Sequence, residues 1–361
     1  MDHLPPQPDR EPDAARWAVP SFVALLLALL ITIAWGVAHP GDRVPSGEQA
    51  SSPLLGDLLT RPPLPGAASS TPAPADPDSA PDPDPAPASP SPSVDGDPTA
   101  YRLVGGGQRI FGHGRFLVAY YGTAGTGALG VLGEDRPEVM RRRLAAAASA
   151  FDRPGHPVQP VYELIVSVAD RRPGPDGSYS HDIDRASVEP YVEAARRHHA
   201  LLVLDVQPGQ EPFPQAVRRW AWALREPFVG LALDPEWRMP RGVVPGTQIG
   251  SVSAAEINRT SAWLAALVRR ERLPQKLFVL HQFRTSMIRD IGAVRRRPDL
   301  AMVQHVDGFG TRSEKRGTYR AVARPGLFTM GFKLFYDEDV RRMGPDAVFA
   351  LRPRVRFVSF Q

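Results

Sequence analysis

The stretch Phe228-Val-Gly-Leu-Ala-Leu-Asp-Pro-Glu-Trp237 decides how the rest of the chain is read. It opens as a continuous apolar run and closes on two carboxylates, Asp234 and Glu236, followed by an aromatic ring. A continuous apolar run of this length suits a strand buried on both faces. Side chains at i and i+2 of a strand share a face, which predicts that both acids leave the strand on one side. An isolated D-x-E also arises wherever a loop needs an Asx turn, so the motif gains meaning from its neighbours.

Working outward, short apolar runs alternate with amphipathic stretches from residue 101 to the end. Strands are expected at 116–121, 158–168, 201–204, 228–233, 277–280, 300–303, 327–334 and 355–358. Helices are expected between them at 137–151, 188–199, 214–224, 254–272, 286–296, 314–322 and 338–351, with Ser253 as N-cap and Glu256 at the capping-box position of the fourth. Such alternation gives a parallel sheet. A chain of about 260 residues suits one α/β domain, a (β/α)8 or TIM barrel, which typically takes about 250. A doubly wound open sheet is the alternative, because Gly125-Thr-Gly-Ala-Leu-Gly130 matches G-x-G-x-x-G just after the first strand. That motif needs an acid about twenty residues on, and Asp170 lies about forty beyond Gly130. The glycines are therefore expected to form a flexible loop at the barrel mouth.

Polar residues recur where the strands end. The third closes on Asp205 and Gln207, the fourth on Asp234 and Glu236, the fifth on His281 and Gln282, the sixth on His305 and Asp307, and the seventh carries Lys333. Glu163 interrupts the apolar second strand, and is expected either to act directly or to pair with Lys333 or Arg284. Any one of these histidines or acids is readily a satisfied structural group. Together they sit where barrels keep their chemistry, and burying them without a use costs stability.

Paired carboxylates across a cleft suit glycoside hydrolysis, in which one protonates the leaving oxygen while the other attacks or activates water. Glu236 is the candidate acid, since Trp237 beside it raises a carboxyl pKa. Asp234 stays ionised in this reading, and Asp205 or Asp307 supplies the opposing carboxylate. Tyr120, Tyr121 and Trp237 offer faces for sugar rings, and Glu163, Gln207, His281, Gln282, His305 and Lys333 complete the candidate binding set. No metal or other cofactor is expected.

Gly230-Leu-Ala-Leu-Asp-Pro-Glu-Trp237 resembles the strand-four signature of family 18 chitinase-type glycosidases, in which the strand ends D-x-D-x-E. The resemblance implies that Glu236 is the acid and that Asp234 supports a substrate acetamide; Ala232 stands where that family has its first Asp. Met302-Val-Gln-His-Val-Asp-Gly308 is similar to the family's strand-six segment, with His305 where a Tyr is usual. The shorter D-x-E is equally similar to family 25 muramidases. Across the whole domain, Glu163-Leu-Ile165, Leu204-Asp-Val-Gln-Pro-Gly209 and His281-Gln-Phe-Arg284 resemble exported actinobacterial TIM-barrel proteins. That likeness implies a surface location and a barrel, and no substrate. Two other readings stay open. One is a metal-dependent hydrolase of the amidohydrolase type built on His281 and His305, although the first strand lacks the expected H-x-H. The other is a barrel that binds wall glycan without cleaving it.

The N-terminal third sets the location. Residues 18–38 are apolar around Val23-Ala-Leu-Leu-Leu-Ala-Leu-Leu-Ile-Thr-Ile-Ala34 and flanked by Trp17 and Trp35, enough to cross a hydrocarbon core of about 30 Å. An uncleaved signal anchor is expected, with residues 1–17 as cytoplasmic tail; a cleaved signal peptide ending near Ala38 is the competitor. Residues 39–100 are rich in Pro, Ala, Ser and Asp and expected to be a disordered linker. The domain 101–361 is then extracytoplasmic, on a single-pass protein of the cell membrane, with a cell-wall or surface polysaccharide as partner. The chain of 361 residues has no cysteine, which excludes disulfides and thiolate chemistry, and its net charge of +4 with scattered arginines argues against nucleic acid.

Overall fold

The computed structural model describes residues 103, 104 and 106–361. The expected tail, membrane anchor and linker lie outside the described residues. Among those described, no helix is long and apolar enough to cross a membrane.

Eight parallel strands close into a barrel: β1 (Phe116–Thr123), β2 (Val158–Ala169), β3 (Leu201–Val206), β4 (Val229–Leu233), β5 (Lys276–Gln282), β6 (Leu300–Val306), β7 (Thr329–Leu334) and β8 (Val355–Phe360). Each pairs with its neighbours in chain order, and β8 returns to β1. Closure removes both sheet edges. The barrel is the expected one, and the alternative of a doubly wound open sheet is excluded. A short antiparallel strand, Ser180–Asp182, lines β2 beyond the barrel wall.

Helices cover the outside: α1 (Pro137–Ser149), α2 (Arg185–Arg197), α3 (residues 213–224, with a 3-10 turn at Val217–Trp220), α4 (Ala254–Arg270), α5 (Arg312–Val322) and α6 (Pro345–Phe349). Outward strand side chains pack against them. Tyr162 of β2 meets Tyr191 of α2 edge-on, and Phe116 of β1 stacks on Phe151. Ser253 caps α4 by accepting the Glu256 amide, but Glu256 does not return the bond. Its carboxylate accepts from the Phe213 amide and Arg238 instead, at 2.8 and 3.0 Å. A reciprocal capping box forms at Thr311 and Glu314, which starts α5.

Two expected helices are not formed as read. Residues 286–296 make two 3-10 turns, Thr285–Met287 and Ile291–Ala293, around a two-residue strand, Ile288–Arg289, that pairs with Val252–Ser253. Asp290 sits in the left-handed region at φ 55°, and Asn258 of α4 bonds the Ala293 carbonyl and Arg295 amide. Those side-chain bonds hold the backbone groups a helix would need. The expected helix 338–351 shrinks to α6 because Gly344-Pro345 starts it late and Asp339 is drawn inward to Lys315 and the Phe335 amide.

Arg115, fully buried, fastens the lead-in to the base of the barrel. Its guanidinium donates to the carbonyls of Val104, Gly106, Arg109 and Ile110 at 2.5–2.9 Å. Bonds from a charged donor are worth about 1.5–3 kcal/mol each, and losing one partner leaves the others buried. Arg115→Met is therefore expected to cost about 3 kcal/mol or more, lowering the thermal midpoint by roughly 6–12 °C, as calorimetry would measure.

Candidate active site

Barrel register decides which residues look inward. Tyr121 lies beside Glu163, Ile165 beside Asp205, Asp205 beside Ala232, and Ala232 beside Val279. His281 lies beside His305, His305 beside Gly331, and Lys333 beside Ser359. Paired residues share a face, so one inward set runs round the barrel. Gly331 is part of it because a Cβ there would stand 2.6 Å from the His305 ring.

The floor of the site is a buried charge cluster. Glu163, Asp205 and His281 are 0% exposed. His281 Nδ1 donates to Asp307 Oδ2 at 3.1 Å, while Nε2 makes an ion-pair contact with Glu163 Oε1 at 3.2 Å and stands 4.0 Å from Asp205 Oδ2. Glu163 thus pairs with His281, not with Lys333 or Arg284 as expected. Burial and the Lys333 charge oppose protonation of His281, but Asp307, Glu163 and Asp205 together hold its pKa well above the ordinary value. At Asp307 burial is overcome by the His281 hydrogen bond and charge and by Lys333, which lower its carboxyl. His305 is the opposite case: burial and the charges of His281 and Lys333 keep it neutral, with Nε2 3.2 Å from Ser359 Oγ.

Above this floor lies a cavity of about 360 Å³ at the C-terminal mouth. Seven of the expected residues line it: Tyr121, Asp234, Glu236, Trp237, Asp307, Gln207 and Lys333. Pro235 to Trp237 is a 3-10 turn rather than the end of the strand, because proline brings no amide to the ladder. The shared face expected of Asp234 and Glu236 is therefore made by a turn. It leaves Asp234 deep, at 3% exposed, and Glu236 half-buried higher up. Burial raises both carboxyls. Glu236 reaches about 7, with Asp307 adding to the effect, and Asp234 goes well above the carboxylate range, with Asp205 adding. Asp234 is thus not the freely ionised neighbour expected. Lys333 Nζ sits 3.5 Å from the Tyr121 ring centroid, 3.2 Å from Gln361 Oε1 and 3.9 Å from Asp307 Oδ2. Lys315 braces this wall from behind, donating to the Gly308 and Lys333 carbonyls and pairing with Asp339 at 2.8 Å.

The remaining candidates fall elsewhere. Asp205, Glu163, His281 and His305 belong to the floor and do not line the cavity. Gln282 follows an inward residue and so faces the helices, accepting from Gln304 and donating to the Arg284 carbonyl. Tyr120 faces outward for the same reason: its hydroxyl donates to the Arg143 carbonyl, and Tyr121 takes the inward place. The expected flexible glycine loop is folded down tightly. A Cβ on Gly130 would meet the Tyr121 carbonyl at 2.4 Å, and Leu129 reaches the cavity wall. Phe283, Phe309, Phe335 and Gln361 also line the cavity and were not singled out as site residues. Their signal was position alone, at or just past a strand's C-terminal end.

Among the described residues, no three histidine or carboxylate side chains have the geometry to hold a metal ion. No protein-family model matches the sequence, and no curated protein matches it. The chemistry is therefore argued from the site.

Two measurements probe this electrostatic picture. His281→Gln leaves Glu163 and Asp307 without their shared cation, and is expected to cost about 3–5 kcal/mol in urea unfolding at pH 7. A carboxyl whose folded pKa is raised contributes stability that is present below its unfolded value and lost as pH rises through the folded one. Glu236→Gln is therefore expected to match the wild-type thermal midpoint near pH 4 and exceed it at pH 8.

Proposed function

We propose that residues 101–361 form the extracytoplasmic domain of a membrane-tethered protein that acts on a cell-surface glycan by carboxylate acid/base chemistry. One observation carries the reading: a half-buried Glu236 with its carboxyl raised to about 7 shares an aromatic-lined cavity with Asp307, whose carboxyl is lowered. Two titratable groups whose environments push their pKa values apart are the signature of an acid and a base. Glu236 is the proton donor to the leaving oxygen. Asp307 is the better opposing carboxylate, because Asp205 is sealed in the floor. Trp237, Phe283 and Tyr121 offer flat faces to sugar rings. The tether and location rest on the apolar span 18–38 and the Pro/Asp-rich residues that follow it.

A non-catalytic glycan-binding barrel is the second reading. It is favoured by Asp307, whose Oδ2 is already engaged by His281, and by Ala232 where the resembling family has an acid.

Incubating the protein with peptidoglycan and wall polysaccharides, and measuring released reducing ends, tests the two. Turnover is expected in the wild type, to fall at least 100-fold in Glu236→Gln and to be severely reduced in Asp234→Asn, with both variants folded. The acid must be protonated, so kcat/KM is expected to decline as pH rises through about 7. Equal turnover in wild type and Glu236→Gln overturns the acid assignment; binding without turnover selects the second reading.

A further inference from the structure

The cavity and its floor hold more negative than positive side chains. Among the described residues, Glu163, Asp205, Asp234, Glu236 and Asp307 meet two cations inside the site, His281 and Lys333, with Lys315 acting on Asp307 from behind the wall. The rim does not redress this, since Asp170 and Glu338 stand beside Arg171, and His181 already pairs with Asp170. Arg284 acts on Glu236 from outside the lining.

Two of the acids that line the cavity present oxygens that nothing in the described residues satisfies. Asp234 Oδ1 and Asp307 Oδ1 are buried without a hydrogen-bond partner, on side chains only 3% and 7% exposed that line the cavity. A buried carboxylate oxygen left unpaired costs about 1–3 kcal/mol or more, which a donor from a ligand would recover. The walls around them are aromatic, with Tyr121, Trp237, Phe283, Phe309 and Phe335 contributing rings. Rings attract an ammonium through their quadrupole. The protein already uses this wall in that way: Lys333 Nζ stands 3.5 Å from the Tyr121 centroid and 5.7 Å from that of Phe335.

We infer that the cavity recognises a protonated amine carried on its glycan ligand, as on a sugar whose 2-amino group is not acetylated, through Asp234, Asp307 and the surrounding rings. The inference rests on the reading of the cavity as a glycan site and names its ligand class. It departs from the acetamide partner that the chitinase resemblance implies for Asp234, since an acetamide is neutral and leaves the excess charge in place. An ammonium also has donors enough for both unpaired oxygens. Protons make up part of the shortfall otherwise, through the raised carboxyls of Asp234 and Glu236. A bound cation displaces them, so binding is expected to release protons.

The test is titration calorimetry of the full chain in mild detergent at pH 7, with a glucosamine trimer and its fully N-acetylated counterpart, in two buffers of different ionisation enthalpy. The expected result is at least tenfold tighter binding of the amine trimer, with proton release, and loss of that preference in Asp234→Asn. Because burial raises the Asp234 carboxyl and asparagine keeps its size, the Asn variant is expected to fold. Equal affinity, or preference for the acetylated trimer, overturns the amine assignment and leaves the glycan reading standing. Binding of neither trimer overturns both. Calcium or magnesium chloride alone that raises the thermal midpoint and blocks the amine trimer overturns the assignment in favour of a metal ion.

Discussion

Two carboxylates, Glu163 from β2 and Asp307 after β6, meet the two nitrogens of His281 at 3.2 and 3.1 Å in the buried centre of the barrel. Three segments distant in sequence are thereby joined through one imidazolium. Taking these charges out of water is expensive, and the geometry only compensates while all three are present. An apolar barrel interior of Val, Ile and Leu would be the simpler way to fill this space. The charged floor acts on the carboxyls above it: His281 lowers Asp307, while Asp205 adds to the effect of burial on Asp234.

The cluster sorts its members by their surroundings. Asp307 touches the imidazolium and is drawn toward ionisation; Asp234 is buried near Asp205 and pushed the other way. Glu236, lifted by the Pro235 turn toward the mouth, falls between them near neutrality. His281 and His305, whose ring centroids are 5.3 Å apart, take opposite charge states for the same reason: carboxylates face one, while Ser359 and Phe357 face the other. The acid/base reading and the amine reading are two consequences of this arrangement. One uses the spread of proton affinities, the other the surplus of negative charge.

Support for the mouth comes from outside it. Lys315 bridges the carbonyls of Gly308 and Lys333 and the buried Asp339, so the segment after β6, the end of β7 and the segment beyond it are tied together. Gly331 clears space for the His305 ring, and Gly130 lets the loop after β1 close down to the Tyr121 carbonyl. Support of this kind fixes the distances between the side chains that line the cavity.

The sequence by itself determined the alternation of strand and helix, hence the parallel barrel, and the clustering of polar residues at strand ends. Those signals are local: apolar runs of strand length, period-2 facing and the turn chemistry between them. It also contained the pairing of Glu236 with Asp234 and the depth of neither. Parity along a strand could separate Tyr121 from Tyr120 and His281 from Gln282 only once one inward residue was known. Only the tertiary structure decided height: closing the barrel staggers each strand against the next. Asp205 and His281 therefore sink into the floor while Asp307 and Lys333 reach the cavity. The lost helix at 286–296 and the shortened one at 345–349 have the same origin, because Asn258 and Lys315 compete for those segments from elements far away in sequence. Charge state followed last, since it depends on burial and on neighbours that no spacing in the chain encodes.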